Sequence, residues 1–426
     1  MSLSILISKA FALNVYFYNR INQKKNYMKT MYKLLLSFVA IATFALFISC
    51  EGPEGPVGPA GTDGTNGIDG VDGTDGVNGT DGTDGVDGNV SCLVCHTQAN
   101  MDAVNSEYAL SGHSAAANVT YTSGAGRASC VRCHNDEGFK IFLAATPDAT
   151  VTDVYNATKV SCGTCHGNHE SLEDGISAPL TASGPVKAIV DAAYSFDVDG
   201  PSNLCMNCHQ SRSNGTSYDN QTVAKTYTRA FTGADIARYN ASPAIGANGS
   251  KTLNGTSDTL TVVFDVPTTN VYLSNTRAYP HYGPMANVLH GIDGYTTETV
   301  TVSGHKAVGC VKCHMGESGD AVGGHTFFPN VANCTSCHSS ATDFNIDNFQ
   351  TEVEADLALI EEKLIELGAL YLDADGHPAN LYASLTRAQF EAYWNYQIMA
   401  HDVSLGVHNP KYYEAMITQA KTNLGL

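Results

Sequence analysis

The sequence predicts a mainly α-helical chain with extensive loops, in which something other than a large aliphatic core organises most of the fold. Three observations point there. The motif Cys-x-x-Cys-His recurs six times between residues 92 and 338. Aliphatic periodicity is sparse through that stretch and becomes helical only over residues 353–426. Ahead of both, glycine recurs at every third position from Gly52 to Gly88. The 426 residues carry 23 Lys+Arg against 42 Asp+Glu, a formal charge of −19. That balance excludes a nucleic-acid partner, whose phosphates require a basic surface. A single Trp and 40 glycines also argue against a conventional large core.

Twelve of the thirteen cysteines form the pairs Cys92/Cys95, Cys130/Cys133, Cys162/Cys165, Cys205/Cys208, Cys310/Cys313 and Cys334/Cys337. Each pair is followed at once by a histidine: His96, His134, His166, His209, His314 or His338. This pattern reads as c-type haem attachment. Two thiols three residues apart can form thioethers to the vinyl groups of one porphyrin, and the adjoining His supplies the proximal iron ligand. Zinc would need the pairs to combine into four-ligand sets, and a redox dithiol gives no reason for the invariable His. The expected cofactors are six haem c groups. The fold class sharpens accordingly to a multihaem cytochrome c scaffold organised by stacked haems, with the porphyrins as the apolar core.

The thirteenth cysteine, Cys50, ends an apolar run over residues 34–48 that follows Lys29 and Lys33. The run has the length of a signal-peptide core and is short for a membrane span, although an uncleaved anchor is the competing reading. Met28 or Met31 offers a second start that would give a signal peptide of ordinary length. With Leu46 upstream and Ser49 just before Cys50, the junction resembles the lipobox of bacterial lipoproteins. That resemblance implies cleavage before Cys50 and lipidation of its sulfur. After Cys50, glycine leads thirteen successive triplets, and the span from Glu51 to Gly88 contains two Glu, seven Asp and no Lys or Arg. This is a collagen-like Gly-X-Y stalk with little proline, expected either to trimerise or to act as an extended acidic tether.

The expected layout follows: signal peptide 1–49, lipidated Cys50 and stalk 50–89, hexahaem domain 90–345 with an insert near 211–300, and a C-terminal helical region 346–426. Within the insert, Thr259–Pro267 and Val271–Leu273 read as strands, a small β-element decorating the scaffold. In the last region, Val353, Leu357, Ile360, Leu364 and Leu367 mark a helix ending at Gly368. Thr386 and Gln389 form a capping-box pattern ahead of Phe390, Trp394 and Ile398, and Asn409-Pro410 reads as the start of a third helix.

Electron transfer without substrate chemistry favours two axial ligands per iron. Nine histidines lie outside the motifs, enough to supply six distal ligands. His113 and His305 both occur as Ser-Gly-His, which suggests one device used twice. His169 lies three residues after His166 and would serve a neighbouring haem. His325 lies between the last two motifs. His290 is a reserve candidate, and His377 and His401 are weaker ones.

His281 begins His-Tyr-Gly-Pro, which is similar to a His-x-Gly-Pro element of several multihaem families. Trp394-Asn-Tyr396, Asp402, Ser404 and Gly406-Val-His-Asn-Pro410 together resemble the C-terminal region of pentahaem nitrite reductases and their multihaem relatives. The resemblance implies that His408 is a distal haem ligand delivered from the start of a helix. Those reductases commonly hold the catalytic haem by Cys-x-x-Cys-Lys, whereas all six motifs here end in His. The expected function is therefore electron transfer, with a multihaem oxidoreductase acting on a small nitrogen or sulfur compound as the alternative. Expected partners are redox proteins or an extracellular electron acceptor, with the membrane reached through the lipid. Homo-oligomers could form through the stalk or the C-terminal helices. The expected location is the bacterial cell envelope, facing the periplasm or the exterior.

Overall fold

The computed structural model describes residues 96–426 except 116–118, 120–121, 146–150, 168–179, 199, 219–222, 233–235, 237, 239–248, 254–258, 275–276, 301–302 and 317–323. The signal segment, Cys50, the glycine-periodic stalk, Cys92, Cys95 and His169 lie outside the described residues. Residues 85–426 form one compact unit. None of its described helices is long and apolar enough to cross a membrane.

The motif-bearing half is built from short pieces. Helix α1 (Gln98–Leu110) starts where Thr97 accepts the Asn100 amide, and it buries no side chain. Helices α2 (Ala128–His134) and α3 (Asp136–Ala144) meet at Asn135, whose side chain caps α3 by accepting the Gly138 amide. Next come α4 (Cys162–Cys165), the strand pair β1 (Val186–Lys187) and β2 (Ser195–Phe196), and α5 (Ser202–Met206).

The insert carries a three-stranded antiparallel sheet in the order β3-β5-β4, from β3 (Lys225–Thr232), β4 (Gly249–Leu253) and β5 (Thr259–Val266). Alternation in β5 buries Leu260, Val262, Phe264 and Val266 on one face, as its β-branched pattern predicts. The decorative reading of the second strand does not hold. Strand β6 (Asn270–Leu273) leaves this sheet and pairs with a strand of the C-terminal region, β9 (Ala383–Thr386), joining Val271 to Leu385 and Leu273 to Ala383. The reason is burial: every residue of β6 is buried, so it needs cover on both faces.

After β6 come α6 (Met285–His290) and α7 (Gly304–His314), then the long α8 (Phe349–Glu366). Helix α8 buries Val353, Ile360 and Leu364, with Gly368 in left-handed conformation just past its end. A hairpin of β7 (Leu370–Leu372) and β8 (Pro378–Asn380) follows, so the C-terminal region is not wholly helical. Helix α9 (Arg387–Asp402) begins with the expected capping box: Gln389 N–H donates to Thr386 Oγ1 and Thr386 N–H to Gln389 Oε1. Helix α10 (Pro410–Leu424) is capped by Asn409, which accepts the Tyr412 amide. Helices α8, α9 and α10 enclose the main core around Phe390, Tyr393, Trp394, Tyr412 and Tyr413.

Candidate metal centres

Residues i, i+3 and i+4 share one face of a helical turn, so Cys-x-x-Cys-His needs only one turn to present all three side chains together. The described motifs do this. His166 N–H donates to Cys162 O at 2.8 Å, His209 N–H to Cys205 O at 3.0 Å, and His338 N–H to Cys334 O at 2.8 Å. The ten described cysteines are all unbridged. Among the described residues, the cluster of three or more metal-ligating atoms is Asp373, Asp375 and His377 in the exposed β7–β8 turn, remote from every motif in sequence. The described motif thiols and imidazoles are not part of that cluster.

The last motif sits in a tighter turn. Cys334 lies inside a 3-10 turn over Val331–Ser336, and Cys337 stands just beyond it as the C-cap. Cys337 is exposed, as Cys162 is in the third motif, whereas the other described motif cysteines are partly covered by polypeptide. The Cys337 thiol has Ser336 Oγ beside it at 3.9 Å. The physical reason is local. A 3-10 turn eclipses residues i and i+3, so Cys334 and Cys337 still project together. Thr335, Ser336, Ser339 and Ser340 around them are exposed polar residues, and no apolar element packs over the second thiol.

Five motif histidines each face one other histidine. Ring centroids lie 6.0 Å apart for His113 and His209, and 6.2 Å apart for four further pairs: His134 with His281, His166 with His325, His338 with His305, and His314 with His408. That spacing is too long for stacking or a direct hydrogen bond. It matches one metal ion held between two imidazoles, since two metal–nitrogen bonds of about 2 Å plus the half-width of each ring span roughly 6 Å. The ring planes divide into two classes. Three pairs are steep, at 67°, 71° and 68°, and two are shallower, at 32° for His166/His325 and 39° for His314/His408.

The second ring nitrogens support the same geometry. His281 Nδ1 lies 3.1 Å from Tyr282 O, His305 Nδ1 2.6 Å from Val407 O, and His314 Nδ1 2.9 Å from Phe327 O. His408 Nδ1 meets the Asp402 carboxylate at 2.7 Å. Carbonyl and carboxylate oxygens only accept, so Nδ1 carries the proton and Nε2 keeps its lone pair for a metal. Burial lowers the pKa of His134 and of His209 to about 4, holding both in the neutral form that ligation requires.

The motifs touch one another through their backbones. Cys133 Sγ lies 4.0 Å from Asn207 O, and Cys208 Sγ lies 3.8 Å from Arg132 O, joining the second motif to the fourth. The amides of Cys310 and Val311 donate to Ser202 Oγ at 2.9 and 3.1 Å, docking the fifth motif on α5. Gly309 makes this approach possible. Its φ is +71°, and a Cβ there would lie 2.6 Å from Ser202 Oγ. Phe327 joins three pairs, its ring 4.7 Å from that of His113 and 6.0 Å from that of His325, while its carbonyl accepts from His314.

His96 is described and exposed. The reserve histidines stand outside these five pairs. His290 is buried beside Phe196, with Nδ1 3.0 Å from the Tyr194 hydroxyl, and its buried Nε2 has no hydrogen-bond partner among the described residues. His401 stacks on Tyr279 at 4.7 Å and bonds to Gln397 O, and His377 sits in an exposed turn. The acceptors Val407 and Phe327 carry no sequence signal that links them to His305 and His314, whereas Asp402 belongs to the same C-terminal pattern as His408. The one available cue was that Asp402 and Val407 belong to the same short turn as His408.

No protein-family model and no curated protein matches this chain. Among solved structures, the chain is similar to the outer cell wall cytochrome OcwA, at 20% identity and a TM-score of 0.41. The similarity covers 75% of this chain and 50% of that one, so the chain spans about half the length of that cytochrome.

Proposed function

We propose that this chain is an exported electron-transfer protein carrying six covalently attached haem c groups, most of them held between two histidines. The observation that carries this reading is the set of five motif–distal histidine pairs at 6.0–6.2 Å. Cys130/Cys133, Cys162/Cys165, Cys205/Cys208, Cys310/Cys313 and Cys334/Cys337 would hold five of the porphyrins, and Cys92/Cys95 with His96 the sixth. On this reading the exposed thiols of Cys162 and Cys337 mark porphyrins with an edge at the surface. Haem iron supplies one-electron redox chemistry. The protein's part is to fill both axial positions, so that reduction requires little rearrangement and the ring nitrogens stay in one tautomer. Contacts between the second, fourth and fifth motifs favour short steps between neighbouring sites.

The apolar run before Cys50 favours export with a lipid anchor in the cell envelope, and the acidic triplets favour a spacer between that anchor and the haem region. A redox protein or an extracellular acceptor is the fitting partner. The five pairs would fill both axial positions at their sites and so weigh against the oxidoreductase alternative there, which needs an iron with an exchangeable position. Cys92/Cys95/His96 is the site where that alternative would stand.

Intact mass of the purified holoprotein, EPR and carbon-monoxide difference spectra test the proposal together. Six haems are expected, with low-spin iron and no carbon-monoxide binding at the five paired sites. Steep ligand planes leave the iron orbitals nearly degenerate, so EPR should resolve a large-g class from the three steep pairs and a rhombic class from the two shallower ones. A high-spin signal or carbon-monoxide binding would sink the simple carrier, and a mass without haem would sink the whole reading.

A further inference from the structure

Four of the described pair histidines show where their Nδ1 proton goes, and one differs in kind from the rest. His281, His305 and His314 donate to neutral backbone carbonyls. His408 donates to the Asp402 carboxylate at 2.7 Å. Asp402 is fully buried, and its other oxygen accepts from Tyr413 Oη at 2.9 Å and from Ser404 Oγ. Its ion-pair partner among the described residues is His408.

This carboxylate is costly where it stands. It occupies the last residue of α9, where the helix dipole is negative and repels an anion, and it is shut away from solvent. The turn that delivers His408 is built around it. Ser404 Oγ also accepts the amides of Gly406 and His408 at 3.2 and 3.3 Å. Gly406, at φ +94°, lies against Phe349 so closely that a Cβ would fall 2.5 Å from the ring. An unfavourably placed charge held this tightly against a ligating imidazole calls for a role in that ligation.

We infer that Asp402 is a positioning residue that makes His408 the most electron-donating of these axial ligands, giving the site at Cys310/Cys313 a lower potential than the sites at Cys130/Cys133 and Cys334/Cys337, whose distal histidines His281 and His305 donate to carbonyls. The inference rests on the haem reading above. An anionic acceptor draws the Nδ1 proton more strongly than a carbonyl, which enriches Nε2 in electron density and favours the oxidised metal. Tyr413 and Ser404 moderate the effect by sharing the carboxylate's charge. The low-potential site then lies next to the fourth motif, through the Ser202 contact, and not at an end of the chain of motifs.

Spectroelectrochemical titration of the full-length holoprotein and two variants tests this. Asp402→Asn keeps the shape and a neutral acceptor. It should move one component upward by at least a tenfold change in oxidised-to-reduced ratio at fixed potential, about 59 mV for one electron. The remaining components should stay in place. Tyr413→Phe removes a donor to Asp402 without changing charge, and should move the same component the opposite way by a smaller amount. A purely structural role predicts no such opposition of sign. Unmoved components in both variants, or all components shifting together, would overturn the inference and leave the haem reading intact. A wild-type protein without haem absorption would instead remove the reading on which it rests. Should Asp402→Asn fail to fold, the sign of the Tyr413→Phe shift alone decides the matter.

Discussion

Helices α1 and α9 have similar lengths, 13 and 16 residues, yet α1 buries none of its side chains and α9 buries ten. The contrast extends to the regions around them. Residues 349–424 pack apolar stripes on three helices against one another, in the usual manner of helix-on-helix cores. Apart from the β3-β5-β4 sheet with its own apolar cluster and the buried β6 and α6, residues 96–340 carry short turns, few buried aliphatic side chains and histidine pairs spaced for metal. The difference teaches that the first region's elements serve as holders. Their apolar partner, on the proposed reading, is porphyrin, and so their sequence shows attachment chemistry where a packed helix would show periodicity.

The strongest way to break this comparison is to remove one attachment point. Cys205→Ala combined with Cys208→Ala should cost residues 96–340 most of their protection in hydrogen exchange, because the segment Ser202–Cys208 contacts the second motif through Asn207 and Cys208 and the fifth through Ser202. Helices α8, α9 and α10 should keep theirs. Uniform loss across both regions would show that the packed region is not independent. Next in size, Trp394→Ala removes a fully buried ring whose Nε1 donates to Asp293 O at 3.0 Å. It should cost about 3–5 kcal/mol in urea unfolding while leaving haem content per folded molecule unchanged.

A smaller effect concerns Asp293, where the two regions meet. Burial pushes its carboxyl up to about 7, only partly offset by Ser211, and its Oδ2 has no hydrogen-bond partner. The folded state therefore binds this proton more tightly than the unfolded chain, whose value is about 3.9. Stability contributed by the protonated form is complete at low pH and is lost as pH rises through about 7. Asp293→Asn should remove that decline, gaining on the order of 1–3 kcal/mol at pH 8 and little at pH 4. Asn also tolerates the φ of +77° found there. Equal urea midpoints for variant and wild type at pH 8 would contradict the account. Smallest of all, Thr386→Ala deletes the α9 cap and should cost about 1 kcal/mol, read as a shift in urea midpoint without loss of haem.

Local chemistry was legible because it is local. The six motifs, the Thr386–Gln389 box, the Asn409–Pro410 start and the stripe from Val353 to Leu364 each lie within one or a few turns, where spacing alone dictates which side chains meet. The exposure of Cys337 was not legible, because an identical motif spacing says nothing of what packs over it. The alternation of β5 was legible for the same reason as the motifs, whereas the departure of β6 to join β9 was not, since strand pairing depends on partners far along the chain.

By itself the sequence determined how many Cys-x-x-Cys-His motifs exist, which histidines adjoin the cysteines, and which segments become the packed helices. Only the tertiary structure decided that His113 faces His209, that His281 faces His134, that His325 faces His166, and that a buried carboxylate backs His408. Nothing in the spacing of a lone histidine encodes its partner. That choice is made by the contacts that bring distant turns together, through Ser202, Phe327 and the turn after Asp402, and those exist only in the folded chain.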